Sequence, residues 1–367
     1  MRIFKYVKSV SFILVLVAVN LLLCFLIEPE GGASKRMWAG YYAEENLDTI
    51  FVGSSLCQQT FIPEIFDKEL GIKAYNMGTP SQAIPQTRRA IEVALSEHDI
   101  KTVIFGMNFS SLKYDPIPEA EMTFESARAR QKGGMKGALA TLSYIFSEDV
   151  RGDEDSINFL FPWLYNFEDY TVETMKKNAT EKIAELKEEI ATGVVDETDG
   201  LLKGFRNDDR SVFNYDNMWV TNSYWNYEAY FSSDMLAEFE EMLQYCNENG
   251  IELILVNTPQ PAFDLVACHE YYEKNERRLL GICEQYGVDY YDFSLAKPEI
   301  YEINAKHFCD NEHLNRQGAE DFCYKLCEFL GRRANGEELD EYFYSVEEFM
   351  EMHAEDIKDW KQWNEEN

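Results

Sequence analysis

The sequence predicts an α/β fold: a three-layer α/β/α sandwich around a five-stranded parallel sheet, with a large insertion subdomain and an N-terminal transmembrane helix. Three observations carry that expectation. Short β-rich runs alternate with stretches of helical apolar spacing, the rhythm of strands joined by crossover helices. One interruption, residues 116–230, is too long for an ordinary connection and reads as a cap or subdomain. Residues 10–27 carry no charge, with only Ser11 and Asn20 polar.

Taken in order, the chain opens with a basic segment, residues 1–9, holding Arg2, Lys5 and Lys8. The apolar run that follows has eighteen positions, which at about 1.5 Å each span roughly 27 Å, close to a bilayer core. No small-residue cleavage site follows it, so an uncleaved signal anchor is expected, with a cleaved secretory peptide as the alternative. Positive charge stays inside, which places the rest on the extracytoplasmic side of the cell membrane. Residues 28–45 read as a linker.

The expected strands are residues 49–52, 73–76, 102–105, 252–256 and 289–292, and the expected helices are 85–96, 234–247, 271–286 and 316–330. They build one domain over residues 46–332. Within the insertion lie a Gly/Lys/Arg-rich stretch at 127–136, an aromatic run at 159–165, a charged helix at 172–190, and then Trp219, Tyr224, Trp225 and Tyr227. Aromatic clusters are most often core, with stacking on a sugar or lipid as the alternative. Residues 333–367 form an acidic tail, exposed or packed as amphipathic helix.

Composition excludes several function classes. The chain has 367 residues, 46% hydrophobic and 14% aromatic, enough apolar surface to fold. Thirty-four basic residues against sixty-six acidic ones give a net charge of −32, and no basic patch lies beyond the N-terminus, so nucleic acid is not an expected partner. Of eight cysteines, Cys24 lies in the apolar run and no C-x-x-C pair occurs, so the others read as small buried hydrophobes. His307, Cys309 and His313 match no zinc spacing, and neither a metal nor another cofactor is expected.

The chemistry gathers in two places. Strand 49–52 runs into Gly53-Ser54-Ser55, which sets a serine at the carboxyl edge of the sheet, where α/β sites form. Near the other end, Asp310 and His313 are three apart in a loop leading into the last helix, so one segment supplies a base and the carboxylate that orients it. Ser54 is the rival nucleophile and otherwise a turn or capping residue. His98, His269 and His353 read as surface histidines. Asn76-Met77-Gly78 and Gly106-Met107-Asn108 end the second and third strands, offering the Gly78 N–H, the Asn108 amide and the Ser55 N–H as oxyanion donors. Asn108-Phe109-Ser110 and Asn178-Ala179-Thr180 match the glycosylation pattern, a motif that also arises by chance.

Ser55, Gly78, Asn108 and His313, in that order, resemble the four blocks of the SGNH/GDSL hydrolase superfamily, most tellingly in Asp310-x-x-His313-Leu314-Asn315-x-x-Gly318. The resemblance implies a flavodoxin-like fold and ester chemistry through an acyl-serine. Gly53-Ser54-Ser55 stands where the family usually has Gly-Asp-Ser, a form similar to membrane-anchored members such as the D-alanyl transfer protein of teichoic acid modification and polysaccharide O-acetyltransferase-associated relatives. It further implies a multi-pass membrane-bound O-acyltransferase as partner. The expectation is therefore an anchored enzyme that transfers an acyl or acetyl group onto an envelope polysaccharide or teichoic-acid-like polymer. The alternatives are an anchored carbohydrate or lipid esterase, and an assembly protein that keeps the fold without catalysis.

Overall fold

The computed structural model describes residues 2–27, 32–113, 115–131, 171–192, 201–208 and 231–366, with the single positions 136, 137, 139, 143, 161, 163 and 164. In chain order, α1 (Arg2–Ile27) and α2 (Ala33–Ala43) precede β1 (Thr49–Gly53). Next, α3 (Ser55–Thr60) and α4 (Pro63–Leu70) lead to β2 (Ala74–Asn76), and α5 (Ile84–Glu97) to β3 (Thr102–Met107). Helices α6 (Pro118–Gln131) and α7 (Val172–Thr192) are followed by the hairpin β4 (Leu201–Leu202) and β5 (Phe205–Arg206). Then come α8 (Ser233–Glu248), β6 (Glu252–Asn257), α9 (Ala262–Ala267), α10 (His269–Tyr286) and β7 (Asp289–Asp292). The chain closes with α11 (Arg316–Ala334), α12 (Val346–Met352) and α13 (Ala354–Glu366).

By compactness the chain divides into two units, Met1–Arg36 with Pro118–Asp199, and Met37–Ile117 with Gly200–Asn367. The span expected as a single insertion, 116–230, is thus split, and its hairpin lies in the second unit. Trp219, Tyr224, Trp225 and Tyr227 lie outside the described residues, as does most of the 159–165 run.

In the first unit, Lys8–Ile27 is one helix long and apolar enough to cross a membrane, and most of its apolar side chains are uncovered. The last carbonyls of any helix lack intrahelical donors, and here α7 supplies them. The Asn178 amide donates to Ile27 O at 2.8 Å, and Lys182 Nζ donates to the carbonyls of Cys24 and Phe25 at 3.1 Å. Asn178 is buried in that contact, so the glycosylation match there is a chance one.

The second unit is built on a five-stranded parallel sheet of order β2-β1-β3-β6-β7. Successive strand residues face opposite sides of the sheet. Phe51, Ile104 and Ile254 therefore join one core with α3, α4 and α11. Helices α5, α8 and α10 cover the other face, α8 burying Phe239, Met242 and Leu243. The winding leaves β1 toward β2 in one direction and β3 toward β6 in the other. The crevice between the carboxyl ends of β1 and β3 is the switch point at which α/β folds place their sites.

One segment and two histidines differ from the sequence expectation, and the tail takes the packed of its two expected forms. Residues 28–45, expected as a linker, contain α2, whose Trp38 and Tyr41 are fully buried and whose Met37 carbonyl accepts from Tyr75 Oη at 2.8 Å. Small polar residues ahead of an aromatic cluster hid the helix. The acidic tail packs: Phe343 pairs with Ala296 and stacks among Tyr291, Phe293 and Phe329, and Tyr344 N donates to Leu295 O at 2.8 Å. The tail's backbone contacts lie at residues 295–297, just beyond β7, while the hairpin covers the β2 edge through Asn76 N to Lys203 O at 2.9 Å, which blunts that edge. His98 and His269, expected at the surface, are partnered. His98 Nδ1 accepts from Leu47 N while its ring packs on Tyr41, and His269 donates to Val266 O.

Gly53 has φ of +138°, and a Cβ there would sit 2.2 Å from Gly106 O across the β1–β3 ladder. Gly53→Ala is expected to destabilise the second unit by about 3 kcal/mol. Equilibrium urea unfolding of the purified chain measures it, and an unchanged midpoint would contradict the close contact.

Candidate active site

Ser54, not Ser55, caps α3: its hydroxyl accepts from Leu56 N at 3.3 Å. That leaves the Ser55 hydroxyl uncommitted to the backbone. Two glycines let α3 begin so close to the sheet. A side chain at Gly53 would strike Gly106 O, and one at Gly106 would meet the Phe61 ring at 2.4 Å and Cys57 Cβ at 3.0 Å.

The histidine arrives on a closed loop. Phe308 and Leu314 pair across it, and Cys309 N donates to His313 O at 2.9 Å. Within it, Asp310 Oδ1 accepts from the backbone N–H of Glu312 at 3.0 Å and of His313 at 2.8 Å. Asn315 caps α11 through Gly318 N at 3.0 Å and donates its amide to Lys306 O at 2.7 Å. Gly318 is required because a Cβ there would lie 2.3 Å from His307 O. Each non-x position of the Asp310-to-Gly318 block thus has a physical task.

These parts bring Ser55, His313 and Asp310 together in a line. Both Asp310 oxygens lie 3.0 Å from His313 Nδ1, and His313 Nε2 lies 2.8 Å from Ser55 Oγ. A carboxylate only accepts, so Nδ1 carries the proton and Nε2 accepts from the Ser55 hydroxyl. Burial pushes the His313 pKa down, but the hydrogen bond and charge of Asp310, with the Glu312 carboxylate 3.9 Å away, outweigh it and hold it above the ordinary 6.5. Burial alone would raise Asp310; the His313 contacts and the two backbone donors reverse that and hold its carboxyl at about 2.

The oxyanion donors expected at the sheet edge divide. Asn108 Oδ1 accepts from Ser111 N at 3.3 Å and from the Ser110 hydroxyl, capping a short 3-10 turn and turning the NH2 to the other side. The Ser55 N–H, first of α3, has no intrahelical acceptor. The Gly78 N–H is a correction: it donates to Asn76 Oδ1 at 2.9 Å and so is already engaged. Gly78 serves instead as a close contact, since a Cβ there would meet Gln58 N at 2.7 Å.

Sequence reasoning missed the polar residues that tie these loops. Fully buried Asn76 donates to Cys57 O at 2.9 Å and Phe61 O at 2.8 Å, clamping α3 to the end of β2. Gln82 accepts from Gly53 N at 3.0 Å and donates to Met77 O at 2.9 Å. The available signal was amide side chains inside or just after apolar strands. Arg206, also missed, depresses the His313 pKa through its charge.

His307, Cys309 and His313 do not form a ligand set. His307 faces Tyr301 and Asp321, Cys309 faces Gln59 and Leu314, and among the described residues no group of metal-binding side chains is clustered. The other buried thiols fit their apolar reading: all eight cysteines are free, and burial pushes Cys246, Cys268, Cys283 and Cys327 up to about 12.

No family model and no curated protein matches the chain. Among solved structures, a protein of Bacteroides fragilis NCTC 9343, provisionally described as an acylhydrolase, superposes on 81% of this chain and 95% of its own, at 11% identity and a TM-score of 0.36. That likeness is too loose to carry chemistry, which rests on this chain's own residues.

The couple sets a pH dependence. Asp310, lowered from 3.8, contributes stability that is present above about pH 4 and lost as the pH falls through about 2. His313, raised from 6.5, contributes stability present below that value and lost as the pH rises past its native one. In imidazole NMR titrations His313 is expected to titrate above 6.5, and Asp310→Asn to bring it down. A titration that Asp310→Asn leaves in place would separate the two groups.

Proposed function

We propose that this chain is a membrane-anchored, extracytoplasmic serine enzyme of the SGNH/GDSL type. It would move an acyl or acetyl group onto an envelope polysaccharide or teichoic-acid-like polymer through an acyl-Ser55 intermediate. The observation that carries the reading is the line Asp310–His313–Ser55: a 3.0 Å contact within the histidine loop and a 2.8 Å contact from His313 to Ser55, 258 positions away in sequence. A serine and histidine with purely structural roles would not need a carboxylate aligned behind the imidazole.

In the first half-reaction Ser55 Oγ attacks the ester carbonyl carbon and its proton passes to His313 Nε2. The carbonyl–oxygen bond to the alcohol breaks, and that alcohol leaves with the proton from His313. In the second half, an acceptor hydroxyl gives its proton to His313 and attacks the acyl carbon, and Ser55 departs, recovering a proton. Asp310 holds the imidazole tautomer and offsets its charge when protonated. The Ser55 N–H and the Asn108 amide are suited to the oxyanion.

Water as acceptor makes the same residues an esterase. The apolar helix supports the transferase reading, since an anchored enzyme works on a fixed local acceptor. A multi-pass O-acyltransferase would be the natural partner.

Purified full-length protein in detergent should react with a fluorophosphonate probe at Ser55, and Ser55→Ala should neither label nor turn over a small acetyl ester above about one-thousandth of the parent rate. Failure of the parent protein to label would favour the non-catalytic assembly reading. Acylated oligosaccharide detected by mass spectrometry separates transfer from hydrolysis.

Asn108→Ser keeps an oxygen for the turn cap while removing the amide. It should lower kcat roughly 100-fold with KM little changed. A change in KM alone would make Asn108 a substrate-binding residue.

A further inference from the structure

A cavity of about 60 Å³ lies at the carboxyl ends of β3, β6 and β7, with Asn108, Lys113, Asn257, Gln260, Tyr272 and Glu312 in its wall. Asn257, the last residue of β6, is 3% exposed. Its NH2 is held by Asp292 Oδ1 at 2.7 Å, with Tyr272 Oη at 3.3 Å beyond. Asp292 is itself pinned by the Tyr272 hydroxyl at 2.5 Å, the Tyr290 hydroxyl at 3.2 Å and Ser294 N at 3.0 Å. Because a carboxylate only accepts, the Asn257 amide cannot be turned the other way. Its Oδ1 is buried and has no partner. A buried acceptor left unpaired is costly, so one locked in that state on a cavity wall points to a donor brought by a ligand.

Resting on the acyl-Ser55 reading, we propose that this cavity seats the far end of the acyl group, and that Asn257 Oδ1 selects a short acyl group carrying a hydroxyl. The acyl half is favoured over the alcohol half because the leaving oxygen must lie against His313 Nε2, and neither His313 nor Ser55 lines the cavity. Asn108, also on the wall, would join the two through the oxyanion role proposed above. The volume admits only a few heavy atoms. One orphan acceptor matches the single proton of a hydroxyl, whereas an ammonium brings three donors. Tyr272 and Asp292 act here as positioning residues for Asn257.

The test compares ethyl (R)- and (S)-lactate with ethyl propanoate, which lack or carry only the 2-hydroxyl relative to one another, on purified full-length protein in detergent. Acid release is followed at constant pH, and rates are normalised to alkaline hydrolysis. One lactate enantiomer should exceed propanoate roughly 100-fold in kcat/KM, because a site built to bond a hydroxyl rejects the analogue without it. Propanoate turned over as well as both lactates, or ethyl alaninate turned over faster than lactate, overturns the proposal, whatever the variants do. In Asn257→Leu the lactate-to-propanoate ratio should fall to about one. Structural damage alone would slow both esters and leave the ratio standing, which would also overturn it. Fluorophosphonate labelling of Ser55 keeps the two levels apart. A chain that labels but shows no hydroxyl preference loses only the assignment of Asn257, and one that does not label loses the ester reading with it.

Discussion

The close approach of Gly53 to Gly106 is the constraint on which the rest of the site depends. With φ of +138° at Gly53 and a carbonyl 2.2 Å from where a Cβ would be, β1 can turn at once into α3, whose Phe61 ring then fills the space above Gly106. Ser55 is therefore positioned by van der Waals contact with the sheet end. The helix bearing the histidine loop is referenced to the same point. Cys323 of α11 accepts from Ile62 N at 3.3 Å and donates to Thr60 O at 3.1 Å, joining α11 to the end of α3 deep in the core. A thiol as buried as Cys323, its pKa pushed well up by burial, acts here as a small hydrogen-bonding hydrophobe.

Neutral amides do most of the tying at the sheet edge. An amide carries both a donor and an acceptor, so one side chain can bridge two loops at no charge-burial cost. Asn76, Gln82 and Asn315 each do this, around β2, β1 and the histidine loop respectively. Carboxylates drawn away from water here are answered by donors: the buried Asp292 by the hydroxyls of Tyr272 and Tyr290 and the amide of Asn257, and the half-buried Asp310 by the imidazole. A chain with a net charge of −32 can tolerate these carboxylates inside only because donors converge on them.

The same logic explains why Gly78 did not keep the role its spacing suggested. Once Asn76 is buried beneath α3, its two amide protons go to the carbonyls of Cys57 and Phe61, and its oxygen needs a donor. The Gly78 N–H, two residues on, supplies it at 2.9 Å, beside the weaker Cys57 thiol at 3.5 Å. Satisfaction of a buried amide competes with presentation of a free N–H, and nothing in a linear motif weighs the two.

What the sequence determined by itself was local and periodic: the five parallel strands, the helices between them, the apolar N-terminal run, and the Ser55, Asp310 and His313 positions. Strand alternation, helical spacing and the compact histidine block are short-range patterns, so they can be read along a chain. Tertiary structure alone decided the partners. The burial of Trp38 and Tyr41 against β2, the docking of the tail beside residues 295–297, and the hairpin at 201–206 that covers the β2 edge all depend on contacts between distant segments. So do the engagement of Gly78 and the orphaned oxygen of Asn257, because whether a buried polar atom is satisfied is a property of the packed neighbourhood rather than of residue order.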